Sequence, residues 1–392
     1  MSRSVYIIGS KGIPAKYGGF ETFVDKLTEC NNNKKINYNI ACLKENSEKS
    51  AIFENVFEYN NATCYNINVP NIGPGKAILY DVLALKYAIE LSKEKNDKHP
   101  VFYVLACRIG PFIKYFKKAI QRLNGELYIN PDGHEWLREK WSKPVRKYWK
   151  ISEKLMIKNA DLVICDSKSI EKYIINEYSQ FNPQTTYIAY GTDLTPTKLH
   201  TDDLVVKEWM KDKKIFNQGY YLVVGRFVPE NNYELIIEEF MKCNSKRDLV
   251  IITNVEKNAF YEKILSKTNF NKDPRIKFVG TVYNQELLKY LRENAYGYIH
   301  GHEVGGTNPS LLEALRSTKI NLLLDVGFNK EVGRDSAIYW NKDSGNLCEL
   351  LDQADYLNQE EIEKLASKSS KLMEEHYTWE SIVRKYDFLF TK

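Results

Sequence analysis

The sequence predicts an α/β protein built from two doubly wound, Rossmann-like domains that face each other across a cleft. Three observations lead there. The chain has 392 residues, too long for one ordinary core and suited to two domains. Short apolar runs alternate with longer helical patterns throughout, as in parallel sheets covered by helices on both faces. The alternation pauses once, between about 194 and 218, where the chain is polar and broken by Pro196 and Gly219. It then restarts at Tyr220-Tyr221-Leu222-Val223-Val224-Gly225, which marks a domain connection.

Taken in order, the strands of the first half are expected at 5–8, 38–42, 64–69, 101–105, 126–129, 161–165 and 186–189. Those of the second half are expected at 220–224, 248–253, 275–279, 297–300 and 319–324. Val205–Met210 reads as a short helix inside the connection. Ligands of open α/β sheets sit beyond the C-terminal ends of the strands. Chemistry is therefore sought just after each strand.

Composition narrows the function classes. A hydrophobic fraction of 43% and a charged fraction of 27% are globular values. A net charge of +5 is too mild for a dedicated nucleic-acid binder. The seven cysteines are widely spaced with no CxxC pair, which disfavours structural zinc and suits free thiols in a reducing cytosol. Met1-Ser2-Arg3-Ser4 leads straight into a strand too short for a signal core, and no apolar run reaches spanning length. Any membrane contact is then peripheral.

Six segments carry candidate chemistry. Gly9 to Thr22, with Gly18-Gly19 ahead of an amphipathic helix, allows close backbone approach and an anion-favouring helix start. An ordinary β–α turn reads the same way, and the spacing is not GxGxxG. Arg108 in Cys107-Arg108-Ile109-Gly110-Pro111 is the cation at its strand end and can hold a phosphate by a bidentate contact, or be a surface Arg. Asn130-Pro131-Asp132-Gly133-His134-Glu135-Trp136 groups Asp132, His134 and Glu135 after a strand. A histidine oriented by a carboxylate is acid–base chemistry, although Asp-Gly is also turn chemistry. Residues 136–158 interleave Arg138, Lys140, Lys143, Arg146, Lys147, Lys150, Lys154 and Lys158 with Trp136, Trp141, Tyr148 and Trp149. Together with Phe112 to Lys118, this suits an anionic bilayer surface or, as the alternative, a solvated helix face. Arg226, after Val224-Gly225, can pair with a diphosphate. His300-Gly301-His302-Glu303-Val304-Gly305-Gly306-Thr307-Asn308-Pro309 is a glycine loop running into a helix, with Pro309 in the first turn. Its free N–H groups make an anion site, and Glu313 on the helix flank can accept ribose hydroxyls.

Gly225-Arg226 and the loop-helix ending in Glu313 resemble the donor site of family 4 glycosyltransferases with the GT-B fold. Ile13 to Thr22, Asp132 to Trp136 and Gly305 to Ser310 look like the streptococcal rhamnosyltransferases of capsule and group-carbohydrate assembly, which include β-1,4-rhamnosyltransferases. The resemblance covers nearly the whole chain. It implies a first domain over 1–200 that binds acceptor, a second over 201–375 that binds donor, and a helix over 376–392 returning to the first. It also implies roles. Arg226 would bind the donor diphosphate, Glu313 the ribose, and Val282 and Tyr283 the base. Gly305, Gly306, Thr307 and Asn308 form the donor loop. Gly18, Gly19, Arg108 and Glu135 would lie on the acceptor side, with His134 and Asp132 at the reaction centre. The family's first glutamate falls at Gly305, which points to another sugar grip near His302 or Glu303. The usual diphosphate lysine falls near Asn231.

These similarities imply retaining transfer of rhamnose from dTDP-L-rhamnose to a glucose or N-acetylglucosamine linked through diphosphate to undecaprenol. The implied location is the cytoplasmic face of the membrane, held peripherally, with neither metal nor other cofactor and no nucleic acid. A sugar-nucleotide epimerase of the same fold, another donor such as UDP-glucose, and a non-enzymatic membrane scaffold are the alternatives. The missing GxGxxG disfavours an oxidoreductase.

Overall fold

Val5–Ile8 and Val101–Leu105 are buried at every position, without alternation, which places them at the centre of a sheet covered on both faces. The computed structural model describes residues 2–16, 18–47, 55–138, 140–255 and 258–392. Tyr17 of the first glycine loop and Glu139 of the basic segment lie outside these. The chain divides into two units: Met1–Leu137, Trp141–Gly191 and Trp379–Lys392 form one, and Arg138–Lys140 with Thr192–Thr378 the other.

The first unit runs β1 (Arg3–Ile8), α1 (Gly19–Glu29), β2 (Ile36–Leu43), β3 (Val56–Tyr59), β4 (Ala62–Ile67), α2 (Lys76–Glu94), β5 (Val101–Leu105), α3 (Gly110–Arg122), β6 (Glu126–Asn130), α4 (Lys143–Asn159), β7 (Leu162–Cys165), α5 (Lys168–Glu177) and β8 (Thr185–Tyr187). Its sheet has the order β3-β4-β2-β1-β5-β6-β7-β8, parallel except for β3 against β4. The chain leaves β1 toward β2 and returns on its other side at β5, so the switch point lies between β1 and β5.

The second unit runs α6 (Leu204–Lys213), β9 (Tyr220–Val224), α7 (Tyr233–Lys242), β10 (Asp248–Ile252), α8 (Ala259–Thr268), β11 (Ile276–Gly280), α9 (Gln285–Glu293), β12 (Gly297–His300), α10 (Pro309–Ser317), β13 (Ile320–Leu324), α11 (Gly327–Gly333), β14 (Ile338–Trp340), α12 (Asn346–Asp355) and α13 (Gln359–His376). Its sheet is parallel in the order β11-β10-β9-β12-β13-β14, with the switch point between β9 and β12.

A final helix, α14 (Trp379–Thr391), belongs to the first unit. Its buried face, Trp379, Ile382, Val383, Tyr386 and Phe390, recurs at helical spacing. Phe390 rests on Tyr38, Tyr103 and Tyr128, and the Tyr386 hydroxyl lies 3.2 Å from that of Tyr103.

Two strands escape the sequence reading. β3 is an edge strand of alternating exposure with no apolar run, and β14 is only three residues long. The run expected at 64–69 begins earlier, at Ala62, where pairing with β2 starts. The run expected at 186–189 is Thr185–Tyr187, set by its register against β7. All seven cysteines are free. Among the described residues, no helix is long and apolar enough to cross a membrane.

Candidate functional site

At the switch point of the first unit, α1 begins where Gly18 takes a φ of 130°. A Cβ there would overlap the carboxylate of Glu21, which folds back over the helix start and accepts the Lys11 N–H at 2.7 Å. Gly19 opens the helix with free space beside it. Arg108 is not the available cation that its strand-end position suggests. Its Nη1 donates to Asp81 Oδ2 at 3.0 Å, to the Gly9 carbonyl at 2.9 Å and to the Leu105 carbonyl at 3.3 Å. Asp81 is 0% exposed, so Arg108 neutralises a buried carboxylate, with or without a ligand. The phosphate reading of Arg108 gives way to this ion pair.

Asp132, His134 and Glu135 follow β6, as the loop sequence predicts. Asp132 adopts a φ of 60° and its N–H is held by Asn130 Oδ1 at 2.8 Å. Asp132 and Glu135 line a small cavity with Ala106, Cys107, Trp136 and Glu153. Glu135 Oε1 accepts the Trp141 indole N–H at 2.8 Å. The His134 ring meets Tyr173 edge-on, with centroids 4.3 Å apart. Burial first, and the nearby Lys150 ammonium second, push its pKa down. The imidazole is thus neutral at physiological pH and can accept a proton.

Lys150 does not join an outward basic face. Its Nζ donates to the Tyr173 hydroxyl at 2.5 Å and sits 4.4 Å from the Trp136 ring centroid. Both Tyr173 and Tyr178 donate to Glu153, which is itself buried. Arg138, which belongs to the second unit, is also buried and lies 3.8 Å from the buried Glu230 of that unit. The exposed residues of α3 and α4 include Phe112, Lys114, Tyr115, Lys118, Arg122, Lys143, Lys147, Ile151, Lys154 and Lys158. Aliphatic stems and aromatic rings are interleaved there with ammonium groups.

In the second unit Arg226 follows β9, and His302, Gly305 to Asn308 and Glu313 follow β12, on the two sides of the switch point, whereas Val282 and Tyr283 follow β11. Arg226 is exposed, and no carboxylate lies in ion-pair range of it among the described residues. His302 follows β12. Its ring stacks on His300, with centroids 4.3 Å apart and planes 10° apart. Burial, then the guanidiniums of Arg226 and Arg138, hold the His302 pKa at about 3, so it is neutral at any physiological pH. Glu303 is tied to Lys342 and accepts from Asn232 Nδ2 at 3.1 Å. Gly305 has a φ of 138°, and Gly306 and Thr307 are buried.

The start of α10 corrects one expectation. Asn308 caps the helix, its Oδ1 accepting from Ser310 N at 2.9 Å and Leu311 N at 3.3 Å. Pro309 has no N–H. The first N–H groups of α10 are therefore satisfied from within, and an anion would rely on the loop upstream of Asn308. Glu313 stands on the helix flank, while Leu311, Leu312, Ala314 and Leu315 face the core. After β11, Val282 is 8% exposed and part of the apolar core, whereas Tyr283 is 77% exposed. Val282 is thus a supporting residue, and Tyr283 the one open to a ring.

Two functional residues went unread. Asp81 is a lone carboxylate inside the apolar run Ile78-Leu79-Tyr80-Asp81-Val82-Leu83, and Arg292 follows Leu287, Leu288, Tyr290 and Leu291 on the buried side of α9. In each case the signal is a charge on an apolar helix face, which requires a buried partner.

Comparison with known proteins agrees with this layout. Residues 2–193 match a domain of unknown function, DUF1972, and residues 205–375 match glycosyl transferases group 1. An uncharacterized glycosyltransferase of Methanocaldococcus jannaschii is 22% identical over 400 residues, covering 96% of this chain and 95% of that one. Sucrose-phosphate synthase from Thermosynechococcus elongatus superposes with a TM-score of 0.76 at 17% identity, over 99% of this chain and 98% of that one. Anabaena HepE in complex with UDP-glucose superposes with a TM-score of 0.68 at 12% identity, over 100% of both chains. The chain therefore has the GT-B fold, and residues 205–375, within its second unit, match glycosyl transferases group 1.

Proposed function

We propose that the protein transfers L-rhamnose, with retention, from dTDP-L-rhamnose to a glucose or N-acetylglucosamine linked through diphosphate to a lipid. The observation that carries the donor part is the β9–β12 switch point. There an exposed arginine without a carboxylate partner among the described residues, a glycine loop and a flank carboxylate follow neighbouring strand ends. Arg226 meets the diphosphate, Glu313 the pentose and Tyr283 the base. The rhamnose assignment rests on the motif resemblance, including Gly305 where a glutamate would touch a hexose.

Departure of the diphosphate leaves negative charge, which Arg226 and the loop N–H groups stabilise. The acceptor hydroxyl attacks the anomeric carbon on the face the diphosphate leaves, and its proton passes largely to the leaving phosphate. His134, neutral and held edge-on by Tyr173, orients the acceptor, with Asp132 beside it. The outward faces of α3 and α4 contact an anionic bilayer through Phe112, Tyr115 and Ile151 among lysines. Replacing Lys114, Lys147 and Lys154 by Glu is expected to abolish binding to anionic liposomes. Unchanged binding contradicts the membrane contact.

A second reading, UDP-glucose as donor, is favoured by the fold shared with HepE, which was crystallised with that nucleotide sugar. One experiment tests both readings. dTDP-rhamnose, UDP-glucose and UDP-N-acetylglucosamine are offered against lipid-diphosphate glucose and N-acetylglucosamine, and the products are identified. A rhamnosylated lipid is expected. Transfer of glucose alone selects the second reading, and conversion of donor without acceptor indicates an epimerase.

A further inference from the structure

The His134 side chain is half-buried, and among the described residues nothing hydrogen-bonds its ring. A carboxylate or carbonyl on the second ring nitrogen, the common means of orienting a histidine, is not among its described partners. Its surroundings are aromatic instead. The Tyr173 ring meets it edge-on with centroids 4.3 Å apart, and the Trp136 ring lies at 5.9 Å. Both rings rest on one ammonium. Lys150 Nζ is 4.4 Å from the Trp136 centroid and 4.9 Å from that of Tyr173.

That ammonium is itself fixed. Lys150 Nζ donates to the Tyr173 hydroxyl at 2.5 Å and pairs with Glu177 at 2.8 Å and, one turn along α4, with Glu153 at 3.7 Å. The Tyr173 hydroxyl donates in turn to Glu153 Oε1 at 2.5 Å, and the Tyr178 hydroxyl donates to the same oxygen. Glu153 is 4% exposed. A phenol has one proton to give and lone pairs to accept with. In Tyr173 the proton goes to a buried carboxylate and a lone pair takes an ammonium proton. A tyrosine held by its backbone at one end and by its hydroxyl at the other cannot swing, so its ring is a fixed wall for the imidazole. Removing either bond frees that wall to rotate.

We infer that Lys150 and Glu153 are positioning residues: by pinning the Tyr173 hydroxyl they fix the plane of the His134 imidazole, which has no carboxylate partner among the described residues to do so directly. This rests on the reading that His134 meets the acceptor.

Double-mutant cycles separate such positioning from plain packing. Transfer from dTDP-rhamnose to lipid-diphosphate glucose is followed at saturation and about pH 8, where an ordinary imidazole is neutral. Tyr173→Phe keeps the ring and removes both hydroxyl bonds, and Lys150→Met keeps the stem and removes the ammonium. With His134 intact, each should lower kcat about tenfold, the cost of a small misplacement of a reacting group. In a His134→Ala background each should change kcat by less than about twofold, because the group it acts through is gone. If either variant melts early, Glu153→Gln, which keeps an acceptor for both tyrosine hydroxyls, carries the same cycle with a smaller loss. Equal losses in the two backgrounds, or wild-type kcat in the folded single variants, overturn the inference and leave the role of His134 standing. If His134→Ala turns over like wild type, or wild type transfers nothing, the reading beneath falls, and the inference with it.

Discussion

Arg108 and Arg226 stand at matching places and differ in their partners. Each follows a central strand at the switch point of its own sheet, β5 beside β1 in one unit and β9 beside β12 in the other. Arg108 is turned back onto Asp81 and two carbonyls, while Arg226 is exposed with no carboxylate in range among the described residues. Topology decides where a ligand can sit. A buried carboxylate supplied by a neighbouring helix decides whether an arginine there serves the ligand or the fold. The same contrast runs through the glycines. Gly9 has a φ of 105°, and a Cβ on it would overlap the Leu105 carbonyl, whereas a Cβ on Gly225 would meet side chains, the His302 ring at 3.0 Å and Asn231 and Tyr233 at 3.4 Å. The first switch point is closed by backbone and an ion pair, and the second is bounded by side chains that can adjust.

The largest effect that sharpens this comparison is expected from Arg108→Met. Removing one partner of a buried pair leaves Asp81 uncompensated, at a cost of about 3–5 kcal/mol. Thermal and denaturant unfolding should show the first unit failing first. Arg226→Met should leave unfolding unchanged. Next comes Gly9→Ala, where a left-handed backbone and an overlap with a carbonyl together cost about 2–4 kcal/mol. Gly225→Ala should cost less than half of that. Equal losses would erase the distinction between the two sites.

Acid should also separate the units. Burial and the facing guanidiniums keep His302 deprotonated down to about pH 3, and burial with its neighbour His302 keeps the His300 pKa well below its ordinary value. An unfolded imidazole takes its proton near pH 6.5. Below that pH the unfolded chain therefore binds more protons than the folded one, and stability falls as pH falls. Each imidazole contributes up to about 1.4 kcal/mol per pH unit in this window. His134 in the first unit is shifted in the same direction, but it is a single group. The second unit should lose stability more steeply between pH 6.5 and 4, and His300→Asn should flatten that slope.

Much of this was legible in the sequence because fully buried parallel strands write themselves as unbroken apolar runs, as Val101–Leu105 and Tyr220–Val224 do. β3 and β14 were not legible, since an alternating edge strand and a three-residue strand carry too little pattern. The order of strands and loops was readable: Arg226 follows β9 and His302 follows β12, the two strands of the switch point, with Glu313 on the next helix. Partners were not readable. Nothing local to Arg108 announces Asp81, and nothing local to Lys150 announces Tyr173, because those meetings are made by tertiary packing, whereas Glu153 lies one helical turn along α4 from Lys150. Asn308 was read as a ligand residue although Asn before Pro is also a helix cap, and the cap is what the structure shows.

The central claim is that the second switch point, through Arg226, holds a nucleoside diphosphate. Isothermal titration of dTDP into wild type, Arg226→Ala and Arg108→Lys tests it most directly. Arg226→Ala is expected to weaken binding by about 10- to 100-fold, the worth of a hydrogen bond to a charged group, with unchanged melting. Arg108→Lys should bind within about twofold of wild type, since its charge serves Asp81. Wild-type affinity in Arg226→Ala, or a comparable loss in the folded Arg108→Lys, would contradict the account.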